Sequence, residues 1–132
     1  HVLTRDNGGV VAAYTQAAQL GAVAIVELHF NAATSPTATG TETIYDAPHD
    51  IPLAKLCQAA MVKALGLADR GIQTPWEGRG EANDDAAQHI PSVIVEPFFG
   101  SNAADCQRAH ERKAQLAVAL TDALAEFVRA RA

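Results

Sequence analysis

The sequence predicts an α/β fold with a mostly parallel central sheet and helices on both faces. Short runs rich in Val and Ile alternate along the chain with segments whose apolar residues recur at helical spacing. The apolar runs contain few polar residues, which is typical of parallel strands buried on both faces. Strands that alternate with helices favour a parallel sheet, and such sheets bind ligands beyond the carboxyl ends of their strands.

The first half of the chain contains three predicted strands and two predicted helices. Pro52 suits the first turn of a helix, where the missing N–H costs nothing, and Gly66 suits a helix end. The predicted elements are a strand remnant at 1–4, a helix from Val10 to Gly21, a buried strand at 22–30, a strand at 40–45 and a helix from Pro52 to Gly66.

The second half begins with a long polar stretch, residues 67–89, which contains Pro75 and two glycines and is predicted to be irregular. A loop of this length in a compact domain is usually functional or mobile. Residues 92–96 (Ser-Val-Ile-Val-Glu) predict a third buried strand. One last helix follows, with Ser101 or Asn102 as its N-cap.

The bulk properties indicate a single domain, residues 1–132, with an ordinary globular composition of 48% hydrophobic and 19% charged residues. A net charge of −5 argues against nucleic acid as a partner and provides no basic anchor for an anionic membrane. The sequence contains no membrane-spanning apolar run and no signal peptide. Oligomeric state stays open.

Cys57 and Cys106 form neither a disulfide framework nor a CxxC metal motif. Both lie in predicted helices, so buried free thiols are the favoured interpretation, although the sequence does not decide whether the two residues pair.

His29 and Glu96 each lie at the carboxyl end of a predicted apolar strand, directly before a turn-forming segment. If the two strands are parallel neighbours, the side chains meet at one rim of the sheet. A His that holds Zn²⁺ and a Glu that takes a proton from metal-bound water suit metal-assisted hydrolysis. The residues alone leave a second interpretation open, in which both are structural, hydrogen-bonded residues at strand ends.

Several segments resemble those of zinc-dependent N-acetylmuramoyl-L-alanine amidases. Glu-Leu-His-Phe-Asn-Ala at 27–32 resembles the family's Ser-Ile-His-Ala-Asn-Ala, and Val-Glu-Pro-Phe-Phe-Gly-Ser-Asn at 95–102 resembles its Val-Glu-x-Gly-Phe-x-Ser-Asn. Leu-Thr-Arg-Asp at 3–6, Gly-Thr-Glu-Thr-Ile-Tyr at 40–45 and Asp-Arg-Gly at 69–71 also have counterparts in the same order. The similarity runs in register over essentially the whole chain.

The resemblance implies an enzyme that cleaves the amide between muramic acid and L-alanine in peptidoglycan with zinc-activated water. His29 then corresponds to one of three zinc ligands, and Glu96 to the Glu that accepts and returns the proton. Arg70 is a substrate-binding candidate by resemblance, and Asn31 is one because it directly follows the His29 strand. The expected location is the cell envelope, reached by a bacterial or a phage enzyme.

The chain also departs from the family pattern. The family's first zinc His and its ligand Glu precede the Leu-Thr-Arg strand, so the chain is expected to be a catalytic domain that lacks the first strand, the first helix and two zinc ligands. Glu27 replaces the usual Ser and Phe30 the usual Ala. Glu27 lies on the same strand face as His29, where it either orients the imidazole or is a surface or ion-paired carboxylate.

Two other functions remain open: a zinc hydrolase of related fold that acts on a small N-acyl amino acid or peptide, and a binding or regulatory module without metal. His49, His89 and His110 are not favoured as ligands, because a turn, the long loop and a charged helix face carry them. Trp76 in the long loop is either a stacking platform for substrate or a loop anchor.

Overall fold

Four strands form one mixed sheet in the computed structural model, which describes residues 1–4, 6, 8–75, 87 and 89–131. The strands are β1 (Ile25–Leu28), β2 (Thr41–Ile44), β3 (Asp69–Gln73) and β4 (Ser92–Glu96), in the order β1-β4-β2-β3. β1 pairs with β4 and β2 with β3 in parallel, whereas β2 and β4 are antiparallel. The prediction of a mostly parallel α/β sheet is therefore confirmed.

Helices flank this sheet. They are α1 (Gly9–Gln19), α2 (Ile51–Leu65), α3 (Ala103–Glu111) and α4 (Lys113–Arg129). α1 lies on one face, where the Tyr14 hydroxyl reaches Glu27 of β1. α2 and α4 lie on the other face, as predicted for an α/β fold, and pack against each other.

The core lies between α2, α4 and the sheet face that carries Val93 and Val95. Its members are apolar side chains of these three elements: Leu53, Ala54, Cys57, Met61, Val93, Val95, Leu120 and Phe127. α2 begins with Pro52 in its first turn and ends at Gly66, whose φ of 67° is the left-handed conformation that glycine adopts without strain. Both ends of this helix agree with the sequence prediction.

Two predictions for the first thirty residues are wrong. Residues 1–4 are not in a strand. The run 22–30 contains only the four-residue strand β1, and it is not buried on both faces, since Leu28 is 71% exposed. The reason is topological, because β1 is the end strand of the sheet and a cleft of about 830 Å³ runs beside it, between α1 and α4.

Two further predictions fail in the second half. The stretch 67–89 is not irregular throughout, because residues 69–73 form β3. The last helix is two helices, α3 and α4, which meet at Arg112 with a φ of −113°. Among the described residues, no helix has the length and apolarity needed to cross a membrane.

Candidate active site

A row of polar side chains crosses one end of the sheet. It consists of His29, which directly follows β1, Glu96 at the end of β4, Glu42 in β2 and Arg70 in β3. β1 and β4 end at this rim, and β2 and β3 begin there because β2 is antiparallel to β4. Glu42 and Glu96 are direct partners across the β2–β4 pair.

His29 and Glu96 are neighbours on parallel strands, as the sequence predicts. Leu28 pairs with Val95, and the His29 N–H donates to the Val95 carbonyl at 3.0 Å, so the next residues in register are His29 and Glu96. Paired positions in a sheet place their side chains on the same face. Glu96 is only 4% exposed, so its carboxylate lies in an environment largely shielded from bulk water.

Glu27 links His29 to α1. Its Oε1 lies 2.7 Å from His29 Nε2, and its Oε2 accepts a 3.0 Å hydrogen bond from the Tyr14 hydroxyl. Burial, together with the charge and hydrogen bond of Glu27, raises the pKa of Tyr14 and keeps this hydroxyl a donor. The carboxylate therefore holds the imidazole through Nε2, and this contact does not use Nδ1. Glu27 is therefore in direct contact with His29 and largely enclosed, which rules out a free surface carboxylate and agrees with both an orienting and an ion-paired role.

Glu42 is the centre of a second group. Its buried carboxylate accepts a 2.6 Å hydrogen bond from Asn31 Nδ2 at Oε1 and a 2.7 Å ion-paired bond from Arg70 Nε at Oε2. Asn31 Oδ1 also accepts from the Ala32 N–H at 2.8 Å. Both ends of the buried Asn31 amide are thus engaged within the protein, whereas the Arg70 side chain is about half exposed.

The segment after β4 completes the rim. Phe99 forms a parallel bridge with Asn31, and the Arg70 guanidinium carbon lies 5.0 Å from the centre of the Phe99 ring. Asp105 of α3 accepts hydrogen bonds from the Phe99 and Gly40 N–H groups at 3.0 and 3.2 Å. This buried aspartate therefore holds the segment after β4 against the segment before β2.

The zinc expectation meets only part of its requirement. A catalytic zinc usually has three protein ligands. His29 provides one imidazole, but within residues 1–4, 6, 8–75, 87 and 89–131 no group of three His, Cys, Asp or Glu is arranged to hold a metal ion. The described donor set therefore does not fit zinc by itself.

The other candidates lie away from the row or outside the described residues. His49 Nε2 lies 3.4 Å from Asp50 Oδ1, and the His49 and His89 rings form an edge contact with centroids 6.4 Å apart. His110 is exposed on α3. Trp76 and its neighbours at 77–86 lie outside the described residues.

A family model described as N-acetylmuramoyl-L-alanine amidase matches residues 2–126. The chain belongs to the N-acetylmuramoyl-L-alanine amidase family. The segments at 27–32 and 95–102, on which the resemblance rested, fall inside that match and form the two parallel ends that carry His29 and Glu96.

One curated amidase is similar to the chain in sequence, and the fold is similar to those of solved amidases. LytC of Bacillus subtilis is 29% identical in a match that covers 86% of this chain and 23% of LytC, so the chain spans about a quarter of that relative. The fold matches AmiC2 of Nostoc punctiforme with a TM-score of 0.82 at 22% identity, over 97% of this chain and 72% of AmiC2. It matches the catalytic domain of CwlV from Bacillus (Paenibacillus) polymyxa with a TM-score of 0.77 at 24% identity, over 94% and 69%.

Sequence reasoning missed the part played by Glu42. The resemblance of residues 40–45 to the amidase pattern does not by itself indicate a role for the Glu42 carboxylate. A signal was present, since Glu42 interrupts a β-branched strand between Thr41 and Thr43, and all four residues of β2 are buried. A buried carboxylate needs charge-assisted partners, and these are Asn31 and Arg70, two of the four candidates named from the sequence.

Proposed function

We propose that this chain carries part of the active site of an enzyme that hydrolyses the amide between N-acetylmuramic acid and L-alanine in peptidoglycan. Glu96 is the general base and acid of the reaction, and His29 is one ligand of a zinc ion. The envelope, where peptidoglycan lies, is the place of action. Residues 1–132 act as catalytic domain in this proposal, and Asn31 and Arg70 shape the substrate side of the site.

The observation that carries the proposal is the pairing of His29 and Glu96 at the ends of β1 and β4. A base must lie within reach of the reacting atoms. His29 directly follows β1 and Glu96 ends β4, and these adjacent parallel strands are one strand spacing, about 4.8 Å, apart. The two residues come from two different strands, and the match to the amidase family includes both residues. Two unrelated structural residues would not need this alignment.

The chemistry assigned to the protein's own residues is proton transfer. Glu96 accepts a proton from the attacking water and returns it to the leaving L-alanyl amine. Its low exposure suits this task, because little bulk water surrounds the carboxylate to compete with the reacting groups. Glu27 holds the His29 ring and is itself held by Tyr14, so the imidazole needs little reorganisation to bind a metal ion.

Replacement of Glu96 by Gln tests the assignment. The variant keeps shape and volume but cannot accept the proton, so we expect kcat on purified cell walls to fall by about 100- to 10,000-fold. The measurement is release of new L-alanine amino groups by the intact, zinc-supplied protein, with circular dichroism to verify the fold. Glu126→Gln, which changes an exposed glutamate on α4, is the matched control and retains full activity.

Three outcomes separate the alternatives. Equal digestion by Glu96→Gln and the unchanged protein contradicts the role of Glu96. Cleavage of small N-acyl amino acids without any release from cell walls favours a related hydrolase. Metal analysis that finds no zinc in the intact, zinc-supplied protein favours a binding or regulatory module, whereas one zinc per chain supports the amidase.

A further inference from the structure

Arg70 occupies an irregularity in the sheet that turns it towards Glu42. Thr41 pairs with Asp69 and Thr43 with Ile72, so two residues of β3, Arg70 and Gly71, oppose the single residue between the threonines of β2. Gly71 has a φ of 79°, a conformation that side-chain-bearing residues rarely adopt. Bulges of this kind re-aim a side chain and occur often beside functional sites.

The Arg70 side chain is restrained at three points. Glu42 binds its Nε at 2.7 Å, and its guanidinium carbon lies over the Phe99 ring, 5.0 Å from the ring centre. Gly40 makes room for its aliphatic part, because a Cβ at position 40 would lie 2.9 Å from both Cγ and Cδ of Arg70. Fixing so flexible a side chain costs conformational entropy, and the ion pair with the buried Glu42 and the contact with Phe99 offset that cost.

These restraints leave the two Nη groups of the Arg70 guanidinium available. The contacts use Nε and the approach of the guanidinium carbon to the Phe99 ring, and the two Nη groups make no hydrogen bond to any residue that the structure describes. The side chain is 44% exposed. An arginine oriented from behind by a buried carboxylate, with its Nη donors open to solvent, has the geometry needed for paired hydrogen bonds to a ligand carboxylate.

We propose that Arg70 is a carboxylate-binding subsite for the peptide part of the substrate, and that Glu42 is its positioning residue. The proposal rests on the amidase function proposed above. β2 separates β3 from β4, so Arg70 lies about two strand spacings, roughly 10 Å, from Glu96. An extended peptide advances about 3.4 Å per residue. The recognised carboxylate therefore belongs to the second or third residue after the scissile amide.

Paired substrates test the subsite. Each pair is a muramoyl-L-alanyl peptide that carries either a free carboxylate or a primary amide at the second or third residue. For the unchanged protein we expect kcat/KM to favour the acid by about 10- to 100-fold at one of the two positions, mainly through KM. In Arg70→Gln this ratio falls to within about twofold of one. Glu42→Gln lowers it to an intermediate value, because the guanidinium loses its anchor.

Two variants guard against other causes. Arg70→Gln leaves Glu42 buried without its cation, so a variant that carries both Arg70→Gln and Glu42→Gln separates loss of the subsite from loss of folding. It must fold and still lack the preference for the acid. Arg129→Gln removes an exposed arginine at the end of α4 and keeps the preference of the unchanged protein.

The outcomes distinguish this proposal from the amidase function. If the unchanged protein cleaves both members of each pair at equal kcat/KM, the subsite is wrong and the amidase function stands. If it cleaves none, the amidase function is wrong, and calorimetric titration with the free acid and amide peptides decides the subsite. Binding of the acid at least tenfold tighter, lost in Arg70→Gln, supports the subsite, and equal binding overturns it.

Discussion

Cys57 and Cys106 differ in reactivity because the core encloses one and not the other. Cys57 has no exposed surface, and burial raises the pKa of its thiol to about 12. Cys106 is half-buried at the start of α3, near the Phe99 and Gly100 carbonyls. Both are free thiols, so the favoured sequence interpretation of unpaired cysteines is confirmed, although only Cys57 is fully buried.

This difference predicts selective alkylation. The thiolate is the reactive form, and the raised pKa keeps Cys57 protonated at pH 8. Iodoacetamide at pH 8 should therefore modify Cys106 and leave Cys57 intact while the protein is folded. Mass spectrometry of the peptides measures each site, and the urea-unfolded chain, in which both react, is the control. Equal rates at both cysteines in the folded protein would contradict the enclosed position of Cys57.

Individual site residues were predictable where the chemistry follows from local position. His29 and Glu96 interrupt or end apolar runs, and that position alone implies a strand end. Glu42 also interrupts a β-branched strand, but its position opposite Glu96 was not predictable, because it depends on β2 running antiparallel to β4. Strand direction is set by tertiary packing, and nothing within residues 40–45 encodes it.

At the scale of elements, the helix ends were the best-predicted features, because caps depend on one or two residues. Asn102 is the N-cap of α3, and its side-chain oxygen accepts from the Ala104 and Asp105 N–H groups at 2.9 and 3.2 Å. Its Nδ2 also donates to the Ala38 carbonyl at 3.0 Å. Ser101, the other cap candidate, instead accepts from the Ala33 N–H.

Asn102 therefore stabilises α3 in two separable ways. We expect Asn102→Ala to lower the free energy of unfolding by about 1–2 kcal/mol, since it removes the cap and the bond to Ala38. Asn102→Asp keeps the cap acceptor, places a negative charge at the helix N-terminus and loses only the donor, so it costs less. Urea denaturation of both variants measures the difference. Equal losses would mean that the cap contributes nothing.

Strand β3 was missed because its bulge hides the alternation that identifies a strand. Asp69 Oδ1 accepts from the Gly71 N–H at 2.8 Å and from Gln58 Nε2 at 2.6 Å, so a side chain of α2 fixes the irregular start of β3. A local pattern contains no trace of a contact made from another helix. The bulge that hides β3 from sequence-based prediction is also the irregularity that turns Arg70 towards Glu42.

At the scale of the whole molecule, two buried aspartates tie distant segments to the ends of β4. Asp50, before α2, accepts from the Ser92 N–H at 2.9 Å, where β4 begins. Asp105 accepts from Phe99 beyond its end and from Gly40 and Thr39 before β2. Asp50 lies far in sequence from β4, and Asp105 lies far in sequence from β2. The mostly parallel fold class followed from the alternation of strands and helices, but the strand order depends on such long-range ties and did not.

Asp105 is the tie that bears on both stability and the candidate site. It is 2% exposed and accepts bonds from three donors, the Thr39 hydroxyl at 2.6 Å and two N–H groups. Removal of the carboxylate in Asp105→Ala leaves these donors without their acceptor, and we expect a loss on the order of 3 kcal/mol in the free energy of unfolding. Urea denaturation at pH 7 measures it.

The Asn variant separates hydrogen bonding from charge at this position. In Asp105→Asn the side-chain oxygen still accepts from the Phe99 and Gly40 N–H groups, and the Thr39 hydroxyl reverses to accept from the new amide. Its loss should therefore be about 1 kcal/mol. Asp122→Ala, on the exposed face of α4, is the matched control and should change stability by less than about 0.5 kcal/mol. If the Asn and Ala variants of Asp105 lose equal stability, the charge and not the three hydrogen bonds holds β2, β4 and α3 together.

Because Phe99 supports the Arg70 guanidinium, Asp105→Ala should also weaken the preference for acidic peptides among molecules that remain folded.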